Sequence, residues 1–149
     1  MNIRIFLLER LSKIVQKTRY MLLRLQGYKN IHPTAIMERG LNLDRVCPAG
    51  IHIGKNTLVA SKVTILCHEH VKRDPQDPRL PYIAETKIGE RCFIGIGAII
   101  LPGVSIGDEC LIGAGSVVVK DIPANSVAVG VPAKVIKSNI KMNEKAIRI

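Results

Sequence analysis

Ile88-Gly89-Glu90-Arg91-Cys92-Phe93 is followed by Ile94-Gly95-Ile96-Gly97-Ala98-Ile99, and the rhythm of six continues. Next come Ile100-Leu101-Pro102-Gly103-Val104-Ser105, Ile106-Gly107-Asp108-Glu109-Cys110-Leu111, Ile112-Gly113-Ala114-Gly115-Ser116-Val117 and Val118-Val119-Lys120-Asp121-Ile122-Pro123. Each block opens on Ile or Val, and Gly often comes second. The fifth residue is small or β-branched: Cys92, Ala98, Val104, Cys110, Ser116. A fixed period dictates a repeat architecture. A period of six, with an aliphatic anchor and a small partner, predicts a parallel β-helix. The anchor points into the bore, and Gly is expected to let the backbone turn the corner. A β-sandwich has no reason to keep this period.

Three blocks make one triangular coil of 18 residues. Ile88 then stacks under Ile106, Ile94 under Ile112 and Ile100 under Val118. Stacked strands lie about 4.8 Å apart. No coil buries its anchors alone, so stacking creates the core.

The 149 residues suit one domain with an aliphatic core, since Trp is absent and aromatics are 3%. A net charge of +10 favours acidic partners. So few aromatics give no base-stacking platform, and no helix-turn-helix or zinc-finger pattern occurs, so nucleic acid is not an expected partner. Cys92 and Cys110 share the fifth position one coil apart. They read as small apolar fillers in a reducing compartment, hence a cytoplasmic protein. No Cys-x-x-Cys pair supports a thiol zinc site.

Residues 1–26 read as an amphipathic helix, within an N-terminal segment 1–28. Ile3, Leu7, Leu11, Ile14, Thr18, Leu22 and Leu25 form its apolar face, among Arg4, Arg10, Lys13, Lys17, Arg19 and Arg24. Charge interrupts every apolar run, so the helix neither spans a membrane nor resembles a signal peptide. It either packs on the β-helix or a neighbouring subunit, or rests on an anionic membrane at the inner face. The β-helix is expected over 29–137. Coils begin at Ile31, are irregular over 37–50, and regain the period at Ile53. The anchor due at residue 71 arrives at Ile88, so 71–87, with Pro75, Pro78 and Pro81, is expected to be an extruded loop. After Pro123 the rhythm weakens into a closing turn and last strand. Residues 138–149 read as a short terminal helix or tail.

His68 and His70 stand directly before the insertion, on one face of a strand. A neutral imidazole beside a long loop suits a general base. Its acidic partner is open between Glu69 and Glu85.

The hexads resemble those of the hexapeptide-repeat acyltransferases. The run Ile112-Gly113-Ala114-Gly115-Ser116-Val117-Val118, with Lys120-Asp121-Ile122-Pro123 and Gly130-Val131-Pro132-Ala133-Lys134-Val135-Ile136, looks like the C-terminal signature of galactoside, maltose and surface-polysaccharide O-acetyltransferases. The similarity covers residues 31–137. It implies an all-β, left-handed parallel β-helix, whereas the general crossover rule favours the opposite hand. It implies acetyl transfer from acetyl-CoA to a hydroxyl, without a metal, in a homotrimer with sites between subunits. By the same resemblance His68 is the base and the Ile96 N–H the oxyanion donor. Phe93 would line the acceptor or pantetheine channel, and Ala114 and Gly115 would border the pantetheine arm. Lys120, Lys134 and Lys137 would lie near the cofactor phosphates. On the residues alone, Phe93 also reads as a plain corner residue and each lysine as solvated surface.

Ile31-His32-Pro33 through Leu43-Asp44 also resembles serine acetyltransferase. Arg45 and Leu80 replace two histidines of that family, which counts against serine as acceptor. A γ-class carbonic anhydrase is disfavoured, because His32, His52, His68 and His70 all precede the loop. His68 together with Lys120 and Lys134 speaks against a non-catalytic scaffold. The expected acceptor is a sugar hydroxyl on a polysaccharide precursor, nucleotide-linked or lipid-linked, with a sugar amine as alternative.

Overall fold

Short strands of Ile and Val bury one side chain and expose the next, so they persist only when stacked. The computed structural model describes residues 3–72, 77 and 79–149, with side chains from residue 10 onward. Its strands stack into three parallel faces. The first face holds Ile51–Ile53, Thr86–Ile88 and Ser105–Ile106. The second holds Ile36–Met37, Leu58–Val59, Phe93–Ile94, Leu111–Ile112 and Val127–Gly130, closed by antiparallel Ala133–Lys137. The third holds Asn42–Leu43, Thr64–Ile65, Ile99–Ile100 and Val117–Val118. The chain visits them in that order, once per coil, as a parallel β-helix.

The register is the expected one: Ile88 pairs with Ile106, Ile94 with Ile112 and Ile100 with Val118. The anchors Ile53, Ile65, Ile88, Ile94, Ile100, Ile106 and Ile112 are all buried, none above 3% exposed. Cys92 and Cys110 are buried in adjacent coils. The stretch 37–50 is more regular than its sequence suggests. Met37 and Leu43 act as anchors under Val59 and Ile65, and the irregularity is confined to the corner after Leu43.

The second-position glycines do not turn the corners. A Cβ on Gly54, Gly95 or Gly107 would lie 2.5–2.6 Å from backbone atoms of the next coil, so these glycines permit close stacking. The turning is done at the fourth position, where Asn56, Lys62, Arg91, Gly97, Gly103, Glu109 and Gly115 take positive φ.

The insertion also differs from the expected 71–87. The chain leaves the coil at His68, where His68–Glu69 pairs antiparallel with Tyr82–Ile83. It has returned by Thr86, whose register partner is Ile51 and whose hydroxyl donates to the Leu66 carbonyl at 2.6 Å. Thr86 and Lys87 therefore belong to the coil. Pro75 and Pro78 lie outside the described residues.

Residues 138–149 form no helix. Ile140, Met142 and Ala146 are buried against Val127 on the second face, and Glu109 accepts the Met142 N–H at 2.9 Å. The helix α1 spans Ile3–Leu25. Gln16, Arg19, Tyr20 and Leu23 turn towards the first coil, and Leu23 packs on the core. The expected apolar face points elsewhere: Leu11, Ile14, Leu22 and Leu25 are 53–82% exposed. No helix among the described residues is long and apolar enough to cross a membrane.

Two substitutions separate stacking from turning. Gly97→Ala meets no atom within 4 Å and should cost only the ~1–2 kcal/mol of a left-handed alanine. Gly107→Ala must push adjacent coils apart and should lower the urea midpoint further. Ile94→Asp, an unpaired charge at a fully buried position, should abolish the fold.

Candidate active site

The corner between the third and first faces differs from the others in sequence. Elsewhere position two is usually Gly, but here it is Asp44, Leu66, Leu101 and Val119 in successive coils. A side chain fits on this corner, and the hairpin carrying His68 leaves from it.

Asp44 follows Leu43, which stacks under Ile65, so its carboxylate faces the coil that holds His68. Its side chain is fully buried, against 19% exposure for His68. Asp44 Oδ2 accepts the Cys67 N–H at 2.8 Å, the His68 N–H at 3.0 Å and His68 Nδ1 at 2.5 Å. Oδ1 accepts the Val46 N–H at 2.9 Å. Burial alone would raise this carboxyl. The Cys67 N–H, the His68 ring and the Val46 N–H outweigh it and hold the group below the usual carboxylate range. An ionised Asp44 keeps the proton on Nδ1, so the lone pair of neutral His68 resides on Nε2. That is the arrangement of an oriented base.

Asp44 was not among the expected partners, and neither of those serves. Glu85 faces His52 Nε2 at 3.4 Å and Lys87 Nζ at 3.2 Å, while Glu69 faces Lys72 at 3.8 Å. The available signal was an Asp at position two, 22 residues before Leu66, in a stretch that reads as irregular. His70 lies edge-on to His68, with ring centroids 5.1 Å apart.

The other expected residues divide between two corners. Lys120 belongs to the corner of His68, two coils further on. Ile96, Ala114 and Gly115 stack on the corner between the second and third faces, where the Gly115 N–H donates to the Ile96 carbonyl at 2.9 Å. No acceptor among the described residues takes the Ile96 N–H, and a Cβ on Gly97 or Gly115 would meet nothing within 4 Å. This ridge is open ground. Lys134 pairs with Val129, just past the same corner, and is exposed. Lys137 pairs with Val127 at the far end of the second face. Phe93 occupies neither corner. It is an outward residue of the second face, half-buried against Val127, Ile140, Met142 and Ala146. Within one chain the third face separates His68 from the Ile96 ridge. Among the described residues no cluster of His, Cys, Asp and Glu could hold a metal ion.

Residues 85–120 match the family described as bacterial transferase hexapeptide (six repeats). A maltose O-acetyltransferase structure from Clostridium difficile 630 is 34% identical, covering 80% of this chain and 74% of that one, with a TM-score of 0.64. The galactoside O-acetyltransferase of Escherichia coli (strain K12) is 41% identical over 109 residues, which are 72% of this chain and 54% of the relative. A galactoside acetyltransferase structure in complex with coenzyme A is 27% identical, covering 86% of this chain and 82% of that one, with a TM-score of 0.57. The chain spans between 30% and 56% of the length of the curated relatives it matches.

Asp44→Ala should leave three backbone donors and the imidazole unpaired, at ~1–3 kcal/mol for each buried donor. Asp44→Asn should also destabilise, because an amide NH₂ replaces one acceptor oxygen. Since the folded carboxyl lies below its unfolded value, its stabilisation is present above about pH 4 and fades as pH falls through the lower folded value. Urea titrations should therefore show a gap between wild type and Asp44→Asn at neutral pH that closes in acid.

Proposed function

The chain belongs to the hexapeptide-repeat transferase family, and we propose that it is an O-acetyltransferase that moves the acetyl group of acetyl-CoA to a sugar hydroxyl, with His68 as general base. The observation that carries the reading is the buried Asp44 carboxylate, locked by backbone N–H groups onto His68 Nδ1. The sugar is suggested by the galactoside and maltose enzymes it resembles. A polysaccharide precursor remains the favoured acceptor.

In the proposed reaction His68 Nε2 takes the proton of the acceptor hydroxyl as that oxygen attacks the thioester carbonyl. Asp44 offsets the positive charge that forms on the ring. The Ile96 N–H donates to the oxyanion of the tetrahedral intermediate. Collapse breaks the C–S bond, and the imidazolium returns its proton to the leaving thiolate. The open ridge of Gly97, Ala114 and Gly115 suits the pantetheine arm, and Lys120 and Lys134 suit the phosphates. Phe93 and Lys137 have weaker claims, given their places on the second face.

One chain cannot bring these groups together across the third face. The reading therefore takes the protein as a homotrimer, with the His68 corner of one subunit set against the Ile96 ridge of the next. Exposed Ile96 (51%) and Val131 (72%) supply apolar area for such a contact.

His68→Ala should keep acetyl-CoA binding and lose roughly 10²–10⁴ in turnover, as expected for removal of a general base. His70→Ala should be milder. Equal losses at both positions in steady-state kinetics would point to a structural role for the pair.

The reading extends to α1 as a peripheral membrane contact at the cytoplasmic face. Its exposed residues Ile14, Met21 and Leu25 lie opposite the residues that face the coil, and the exposed Leu11 and Leu22 flank them, each bordering a concavity beside the first coils. Arg10, Lys13, Lys17 and Arg24 recur along one flank. An apolar stripe beside a basic flank suits the surface of an anionic bilayer, where each basic residue contributes about 1 kcal/mol. Flotation should show binding to phosphatidylserine vesicles at low salt but not to phosphatidylcholine vesicles. The triple variant Leu11→Ser, Ile14→Ser, Met21→Ser should stay in solution. Binding unchanged in that variant would leave α1 a capping or subunit-contact role.

A further inference from the structure

Between α1 and the first coils lies a cavity of about 250 Å³. Arg19, Leu22, Tyr28, Leu41, Leu43 and Arg45 contribute to its wall, and no carboxylate does. Arg19 is already engaged, since its guanidinium donates to the Glu38 carbonyl. Arg45 lies close enough to Tyr28 to act on its hydroxyl electrostatically, but among the described residues it forms no ion pair with a carboxylate. Arg45 also borders a second opening of about 420 Å³ with Gln26, Tyr28 and Pro48. One exposed guanidinium thus stands between two concavities.

Its place along the chain gives this a meaning. Arg45 directly follows Asp44, whose carboxylate holds His68. On the corner of the base, Arg45 lies one coil to the N-terminal side of His68, and Lys120 lies two coils to the C-terminal side. A base that deprotonates an acceptor must stand between that acceptor and the acetyl donor. If the donor's phosphates lie on the Lys120 side, the acceptor occupies the Arg45 side. This step rests on the acetyl-transfer reading above.

We propose that the Arg45 cavity is the outer part of the acceptor site and that it takes a phosphate attached to the acceptor sugar. A planar guanidinium pairs with phosphate through two N–H donors. The apolar wall of Leu22, Leu41 and Leu43 suits what lies beyond the phosphate. The phosphate can belong to a sugar nucleotide or to a sugar carried on a lipid phosphate, and both present the same anion to Arg45.

The test compares kcat/KM for a UDP-sugar, a short-chain prenyl-diphosphate sugar and the methyl glycoside of the same sugar, in wild type and Arg45→Gln. Wild type should favour a phosphorylated acceptor roughly ten- to hundredfold, in KM and with salt sensitivity. Arg45→Gln should erase that preference, and Arg45→Lys should restore some of it. Whether the UDP-sugar or the prenyl-linked sugar is favoured identifies the source of the phosphate. A methyl glycoside as good as either, or Arg45→Gln lowering all three alike, overturns the proposal. Calorimetry keeps the two readings apart. Pyrophosphate is titrated into protein saturated with coenzyme A, so that the donor's basic groups are occupied. Binding that Arg45→Gln abolishes, with no acetyl transfer to any acceptor, keeps the anion site and overturns the acetyl-transfer reading. No pyrophosphate binding in wild type overturns the anion site.

Discussion

Adjacent coils approach so closely that a Cβ at Gly54, Gly95 or Gly107 would fall inside the backbone of the next coil. Everything else depends on that contact. It brings Ile, Val and Cys side chains of successive coils into one continuous column, which supplies nearly all of the core. It also satisfies the backbone, because the N–H groups of one coil reach the carbonyls of the next at 2.8–3.0 Å. A chain with 3% aromatics can be stable on this plan, since the column needs only aliphatic anchors in register.

The same constraint explains where chemistry can be placed. Two corners of the triangle carry several position-two glycines and stack tightly. The third carries Asp44, Leu66, Leu101 and Val119, so side chains fit there. When the chain leaves that corner at His68, the Cys67 and His68 N–H groups turn to the coil below, and the Asp44 carboxylate receives them. A charged group is buried at the edge of an apolar column because four donors converge on it. His68 thereby acquires a fixed orientation on a rigid support.

The fold has a second consequence. Ridges on different corners of a solid column cannot meet within one chain. The His68 corner and the open Ile96 ridge are held apart by the third face, however well each is formed. Only a contact between copies, as the proposed function requires, would set such separated ridges against each other. The exposed Ile14, Met21 and Leu25 of α1, turned away from its own coils, add a surface that the isolated chain leaves unused.

The period of six, the anchors from Ile53 to Ile112 and the stacking of Cys92 under Cys110 were legible from residues alone, because a strict repeat fixes which side chains share the bore. The prominence of His68 was legible too, since it adjoins the break in the period. Its partner was not. Asp44 is 24 residues away, in a stretch whose period is interrupted, and only stacking brings it to the imidazole. The departure of the insertion at His68 rather than residue 71, and the outward turn of the α1 stripe, were likewise decided by packing. Local pattern records which residues prefer burial; which surface receives them depends on coils that are distant in sequence. Phe93 shows the same limit, because its cover comes from Ile140 and Met142, in a terminal segment whose sequence reads as a helix or tail.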